Sequence, residues 1–305
     1  MARRRPKGVL ELGWACFQSA AAKRTEHLPV GDIYPETLVK RITFQAGGGL
    51  SWRISALTTP RERPAPWKIV VVTGAPSWAE YWADVLALLP QNREMVVVDR
   101  PGFAGSEPVE YVGDIRVQAR ALSPLLVARP GQRVLLVGQS YGAAIASIMA
   151  AERPGRLHGV VLLSGFFGEA GPTAKWLVDL GSKVIGLIPR DLRNAVMEVS
   201  GQSGQLAHMR EALGSLRVPI HLVHGEADDF APISTAERLI TETPVRSPIR
   251  FRRVPGANHF LNDGPTEQLL AILEECIPVQ PQPVTLGAWL RRLWPKPAPV
   301  LHAAE

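Results

Sequence analysis

Residues 134–146 read VLLVGQSYGAAIA, an apolar run broken at its centre by Gln139, Ser140 and Tyr141, with a glycine on either side of that triplet. The first four residues, Val134 to Val137, have the continuous apolar character of a buried strand, and the small residues from Ala143 onward have the character of a closely packed helix. Only Gly138 to Gly142 remain to turn the chain from one to the other. A turn that tight forces its central residue into strained backbone geometry and raises its side chain above the sheet edge. Glycines two positions away on each side remove the Cβ atoms that would collide with the neighbouring strand and helix. These are the mechanics of the G-x-S-x-G nucleophile elbow. They place Ser140 at a helix N-terminus, where free N–H groups favour developing negative charge. A glycine-rich turn with an incidental serine is the plain alternative, and the strand before and helix after weigh against it.

Working outward, LVKRITFQAG and LSWRISAL are strand-like runs joined by Gly47, Gly48 and Gly49, a hairpin pattern. Those glycines lack the Lys-Ser/Thr ending of a phosphate loop. KIVVVTGAP, EMVVVDRPGFAGS, HGVVLLSGFF, VPIHLVHGEADD and IRFRRVPGANHF each combine a short apolar strand with a loop. Helical runs such as AEYWADVLALLP, DIRVQARALSPLLVA and TEQLLAILEEC alternate with them. That alternation predicts a doubly wound α/β fold with a mainly parallel sheet, whose ligand sites lie at the carboxyl ends of the strands.

About fifty residues, 168–218, are inserted before VPIHLV, too many for a simple crossover. Trp176, Leu177, Leu180, Val184 and Ile188 fall on one helical stripe closed by Pro189. Two more helical runs follow. The reading is a small helical lid and a return helix, with ordinary extra helices on the sheet as the alternative. The expected organisation is an N-terminal basic, helical extension over 1–37 and a core over 38–167 and 219–278. The lid and return helix take 168–218, and a proline-rich basic tail takes 279–305.

A serine needs a base, and the base needs an orienting carboxylate. Both are expected on loops after later strands. Asp228 follows Gly225-Glu226-Ala227, and His259 lies in a glycine-containing loop. The order Ser140, Asp228, His259 is that of the elbow class. Asp229 is the acid instead if the loop register slips by one.

The elbow GQSYGA, the loop DRPGFAGS, the acid loop HGEADDFAP and the histidine loop PGANHF together resemble the α/β-hydrolase superfamily over roughly residues 38–278. The resemblance implies an oxyanion hole of two backbone amides. Tyr141 supplies one and the Thr73-Gly74-Ala75 loop the other, assigned to Ala75 within one residue. Thr73 departs from the usual histidine, which leaves open how that loop is held. The resemblance gives Asp99 a structural role. It also implies that haloalkane dehalogenase and epoxide hydrolase chemistry need a carboxylate at the elbow, which Ser140 does not provide. The activity expected is a serine hydrolase on a carboxylic ester with an apolar acyl part. Carbon–carbon bond hydrolysis, perhydrolysis and acyl transfer on the same residues are alternatives within the fold. A catalytically silent small-molecule-binding protein is the alternative outside enzymes.

Trp78 and Trp82 follow the oxyanion loop, with Phe166 and Trp176 at the start of the lid and Phe260 beside His259. All five are candidate pocket residues, and Trp78 and Trp82 have helical spacing equally suited to the core. His221 and His224 lie three apart on a strand, so they face opposite sides and suit no shared metal. Neither metal nor organic cofactor is expected.

The net charge of +6 is concentrated at the ends, with no zinc-finger, RNP or basic heptad pattern, so nucleic acid is not the expected partner. Two cysteines make no disulfide framework and suit a reducing, cytoplasmic setting. The run Val134–Ala151 is uncharged, but its polar, glycine-flanked centre argues against a membrane span. The terminal stretches around Trp14, Trp289 and Trp294 suit basic amphipathic helices. Packing on the main body or on a second subunit is the reading taken there, ahead of peripheral membrane contact.

Overall fold

A computed structural model of the chain describes residues 34–153, 155, 157–259 and 266–277. The expectations for most of the N-terminal extension, for Phe260 and for the proline-rich tail lie outside those residues. Eight strands form one sheet: β1 (Lys40–Gln45), β2 (Arg53–Thr58), β3 (Trp67–Val72), β4 (Arg93–Val98), β5 (Arg133–Gln139), β6 (Leu157–Leu163), β7 (Ile220–Gly225) and β8 (Ile249–Val254). Their spatial order is β1-β2-β4-β3-β5-β6-β7-β8. The glycine-linked hairpin β1–β2 is antiparallel, β2 runs antiparallel to β4, and every other pairing is parallel.

The helices are α1 (Ala83–Ala87), α2 (Ile115–Leu122), α3 (Gly142–Glu152), α4 (Pro172–Lys183), α5 (Arg190–Gly201), α6 (Leu206–Ser215), α7 (Ile233–Glu242) and α8 (Thr266–Cys276). Successive side chains of a strand point to opposite faces, so a strand covered on both sides is apolar throughout. The central residues of β3, β5 and β6 follow that rule. Val70, Leu136 and Leu162 pack with Leu122, Ile145, Met209 and Leu239 on one face. Ile69, Leu135 and Val161 pack with Leu86, Leu269 and Leu273 on the other. The edge strand β8 instead carries Arg252 and Arg253, paired with Glu275 and Glu237, charges that discourage pairing with another chain.

The uncharged run 134–151 divides between β5 and α3, and no described helix is long and apolar enough to cross a membrane. The inserted segment forms α4 and α5, a 3-10 turn at Gln202–Gln205, and α6, which packs on α3. The apolar stripe read over this segment is only partly covered, with Leu177, Val184 and Ile188 half-buried. The helix ends at Lys183, Trp176 is 61% exposed, and Leu180 is exposed with it. Ala174 and Gly181 are the buried positions instead, and a Cβ on Gly181 would lie 2.6 Å from Val196 Cγ2 of α5. Close approach of two helices selects the small residues for the contact, and the large ones turn outward.

Two glycines bear the weight of the β5–α3 bend. A Cβ on Gly138 would stand 2.6 Å from Ala143 Cα, and one on Gly142 would overlap the carbonyls of Val72, the last residue of β3, and of Thr73 after it. Gly142→Ala is therefore expected to destabilise the fold by about 1–3 kcal/mol in urea titration. Gly204→Ala, where a Cβ meets nothing within 4 Å, should stay within about 1 kcal/mol of the parent.

Candidate active site

The bend at the end of β5 holds Ser140 at φ +52, a conformation that L-residues avoid at a cost of roughly 1–2 kcal/mol. Neighbours fix it there. The Ser140 amide donates to Leu163 O at 2.9 Å, and the Ser140 carbonyl accepts from Phe166 at 3.2 Å and from Ala143 at 3.0 Å. The hydroxyl stands clear of the sheet, at the N-terminal end of α3.

The loops after β7 and β8 are lashed to one another. Glu226 N donates to Val254 O at 3.1 Å and Ala227 N to Ala257 O at 2.9 Å, and a Cβ on Gly225 would crowd the Ala257 and Asn258 carbonyls. This lashing brings Asp228 and His259 together above the strand ends. His259 Nδ1 lies 2.9 Å from Asp228 Oδ2 and 3.1 Å from Oδ1, and His259 Nε2 lies 2.8 Å from Ser140 Oγ. With the proton on Nδ1 directed at the carboxylate, Nε2 is free to accept from the serine hydroxyl. Residues singled out from three separate loops thus meet in one hydrogen-bonded chain. Asp229 takes no part: its carboxylate accepts from Thr173 Oγ1 at 2.5 Å, and Glu226 is exposed.

Burial pushes the Asp228 pKa up, but hydrogen bonds from His224 and His259, the charge of His259 and the Ala231 amide outweigh it. The carboxyl lies well below the ordinary carboxylate range. The amides of Phe230 and Ala231 donate to Oδ1 at 3.0 and 2.8 Å. His224, the penultimate residue of β7, was weighed in the sequence only as half of a metal pair. Its Nε2 lies 2.7 Å from Ala231 O and 3.2 Å from Asp228 Oδ2. Both neighbours are acceptors, so Nε2 carries the proton. Phe230 is a second residue that sequence reading passed over. Its ring stacks on the His259 imidazole at 5.3 Å between centroids. Its place in the acid loop was the available signal.

Thr73, Gly74 and Ala75 lie beside the hydroxyl. A Cβ on Gly74 would be 2.9 Å from Ser140 Cβ and 3.4 Å from Oγ. No backbone acceptor among the described residues takes the Ala75 or the Tyr141 N–H. The loop is held without the customary histidine. Thr73 Oγ1 donates to Val98 O at 3.0 Å and also bonds Ser77 Oγ, while Arg100 donates to the Thr73 and Gly74 carbonyls at 2.8 and 2.7 Å. Asp99 accepts from the Ala79 amide and from Arg41, each at 2.7 Å. Its carboxylate fixes the turn after the Thr73–Ala75 loop, while Ser106 Oγ bonds its carbonyl and closes its own loop.

The expected pocket residues separate. Trp78 and Trp82 are core side chains: Trp78 Nε1 donates to Asp191 of α5 at 2.8 Å, and Trp82 Nε1 donates to Gln139 at 3.1 Å. Phe166, with Phe167, lines a cleft of about 340 Å³ between the inserted helices and α7, along with Lys175, Val199, Leu206 and Thr235. Neither Ser140 nor His259 lines that cleft. Trp176 does not line it either, being turned to solvent for the packing reason given above.

Comparison with known proteins agrees with this architecture. The alpha/beta hydrolase family matches residues 69–272. A 2-hydroxy-6-oxononadienedioate/2-hydroxy-6-oxononatrienedioate hydrolase of Cupriavidus pinatubonensis is 24% identical over 211 residues, covering 56% of this chain and 72% of that one. Among solved structures, a 2-hydroxy-6-oxo-6-phenylhexa-2,4-dienoate hydrolase from a Rhodococcus species superposes with a TM-score of 0.57 at 17% identity, over 78% of this chain and 98% of the other. An esterase from another Rhodococcus strain gives 0.56 at 18%, over 76% and 97%. The structural likenesses show the fold. The chain belongs to the alpha/beta hydrolase family.

A depressed folded-state pKa makes Asp228 stabilising above the ordinary carboxylate value, and that contribution is lost as pH falls through the folded value. Removing the His224 donor raises the folded value. His224→Leu should therefore begin acid unfolding at a higher pH than the parent, followed by circular dichroism, and lose about 1–2 kcal/mol at neutral pH. An unmoved acid midpoint would contradict the bond's contribution.

Proposed function

We propose that this α/β-hydrolase is a serine hydrolase that cleaves a carboxylic ester with an apolar acyl part through an acyl-enzyme. The observation that carries the reading is the 2.8 Å approach of Ser140 Oγ to His259 Nε2, with Asp228 behind the imidazole. A base within hydrogen-bond reach of the hydroxyl is the geometric requirement for activating a nucleophile that is weak on its own.

Ser140 Oγ attacks the ester carbonyl while its proton passes to His259 Nε2. The imidazolium that forms is stabilised by the ionised Asp228, which stays unprotonated throughout. The carbonyl electron pair moves onto oxygen, and the amides of Ala75 and Tyr141 hold that oxyanion, each such donor contributing about 10²–10³ in rate. Collapse expels the alkoxide, which takes the proton from His259. Water, deprotonated by the same imidazole, then releases the acid. The proposed machinery uses no metal or organic cofactor. The Phe230 ring, stacked on the His259 imidazole, gives the site an apolar surface that suits an apolar acyl group.

The relative from Cupriavidus supports a second reading, hydrolysis of a carbon–carbon bond in a dienoic substrate by the same three residues. A dioate substrate brings two carboxylates, which need cationic partners in a desolvated site. Arg100, the guanidinium that reaches the oxyanion loop, is already neutralised by Glu198, and this favours the ester.

Turnover of p-nitrophenyl esters from acetate to long acyl chains, run beside 2-hydroxy-6-oxo-dienoic acids, tests the two readings. The ester reading predicts a clear preference within the ester series. Faster cleavage of the dienoic acids would replace it with the second. With either substrate, Ser140→Ala and His259→Ala should each lower kcat by as much as about 10⁶. A loss of less than about tenfold in either variant would remove that residue from the mechanism.

A further inference from the structure

Arg100 is fully buried, yet every donor of its guanidinium is used. Nε donates to Thr73 O at 2.8 Å and Nη2 to Gly74 O at 2.7 Å. Nη1 donates to Gln118 Oε1 at 2.9 Å, and the two terminal nitrogens meet Glu198 Oε1 and Oε2 at 2.5 and 2.7 Å. The guanidinium also lies 4.9 Å from the centre of the Tyr141 ring and 4.8 Å from that of Phe103. Glu198, equally buried, belongs to α5 of the inserted segment, and Gln118 Nε2 gives it a further bond at 2.9 Å.

We propose that Arg100 is the positioning residue of the oxyanion hole and that Glu198 is the counter-charge the inserted helix supplies to keep it there. This rests on the serine-hydrolase reading above. The peptide joining Gly74 to Ala75 is trans and planar, so its N–H points opposite its carbonyl. Fixing the Gly74 oxygen on Arg100 therefore fixes the direction of the Ala75 N–H. The same guanidinium packs on Tyr141, whose amide is the second donor. One side chain thus touches both halves of the hole, and it takes the place that the absent histidine leaves open. A buried cation that loses its partner is strongly destabilising, so α5 cannot lift away without dismantling the loop beneath it. The helix is a fixed wall of the oxyanion hole, and it stays docked through turnover.

The test is acylation of Ser140 by p-nitrophenyl acetate with enzyme in excess, which reads the rate of forming the tetrahedral intermediate, together with steady-state kcat and KM and the thermal midpoint. Arg100→Met combined with Glu198→Met removes both charges at similar volume, a change that buried pairs commonly tolerate. The proposal expects that double variant to stay folded, with KM within about threefold of the parent and acylation slowed by about 10²-fold or more. Arg100→Lys keeps the charge opposite Glu198, but a single ammonium cannot span two carbonyls and a carboxylate. It should fold and acylate about tenfold or more slowly. A purely structural pair predicts the reverse, activity returning with stability. A folded double variant acylating within about threefold of the parent would overturn the proposal, and if that variant does not fold, Arg100→Lys decides by the same criterion. A parent protein that acylates no faster than Ser140→Ala would overturn the serine-hydrolase reading itself, and the clamp with it.

Discussion

The approach of Ser140 Oγ to His259 Nε2 joins two loops separated by 119 residues of chain, and several constraints must hold together for it to exist. The bend after β5 must be tight enough to raise the hydroxyl, which Gly138 and Gly142 permit by leaving room for α3 and the end of β3. The loops after β7 and β8 must be tied to each other, which their backbone hydrogen bonds accomplish. The imidazole must be held at the correct rotation, which the Asp228 carboxylate and the Phe230 ring share. Loss of any one disturbs the approach of the imidazole to the hydroxyl.

Charge burial organises the rest of the region. Asp228 stays ionised in a buried setting because four donors converge on it: two backbone amides and two imidazoles. Arg100 is tolerated in the interior because Glu198 neutralises it and the Thr73 and Gly74 carbonyls and Gln118 satisfy its remaining donors. Buried charges are permitted only when paired and hydrogen-bonded, and here the pairing runs through the backbone of the loop beside Ser140. The energy needed to bury the charge also fixes the geometry.

Much of this was legible before any coordinates. Ser140, Asp228 and His259 each sit in a short local pattern, a strand ending in a loop with a particular residue, and the parallel sheet brings those loops together. The β1–β2 hairpin was legible from three glycines between two strand-like runs. What was hidden is non-local or out of phase. Arg100 and Glu198 lie 98 residues apart and share no periodicity, so nothing in either neighbourhood announces the other. His224 reads as a strand residue, since its bond to Asp228 depends on how the loop folds back. Trp176 reads as a pocket residue because large apolar residues at helical spacing ordinarily face inward. The close contact with α5 is made at Gly181, and the other buried position of the helix is the small Ala174.

We propose hydroxyl 140 as an activated nucleophile because imidazole 259 and carboxylate 228 stand behind it. The most direct test is peptide mass mapping after brief exposure of the native protein to a fluorophosphonate. One phosphonyl adduct is expected, on the peptide containing Ser140, its formation abolished in His259→Ala and after heat denaturation. A native protein that takes no adduct there, or takes it equally well without the imidazole, would contradict the account.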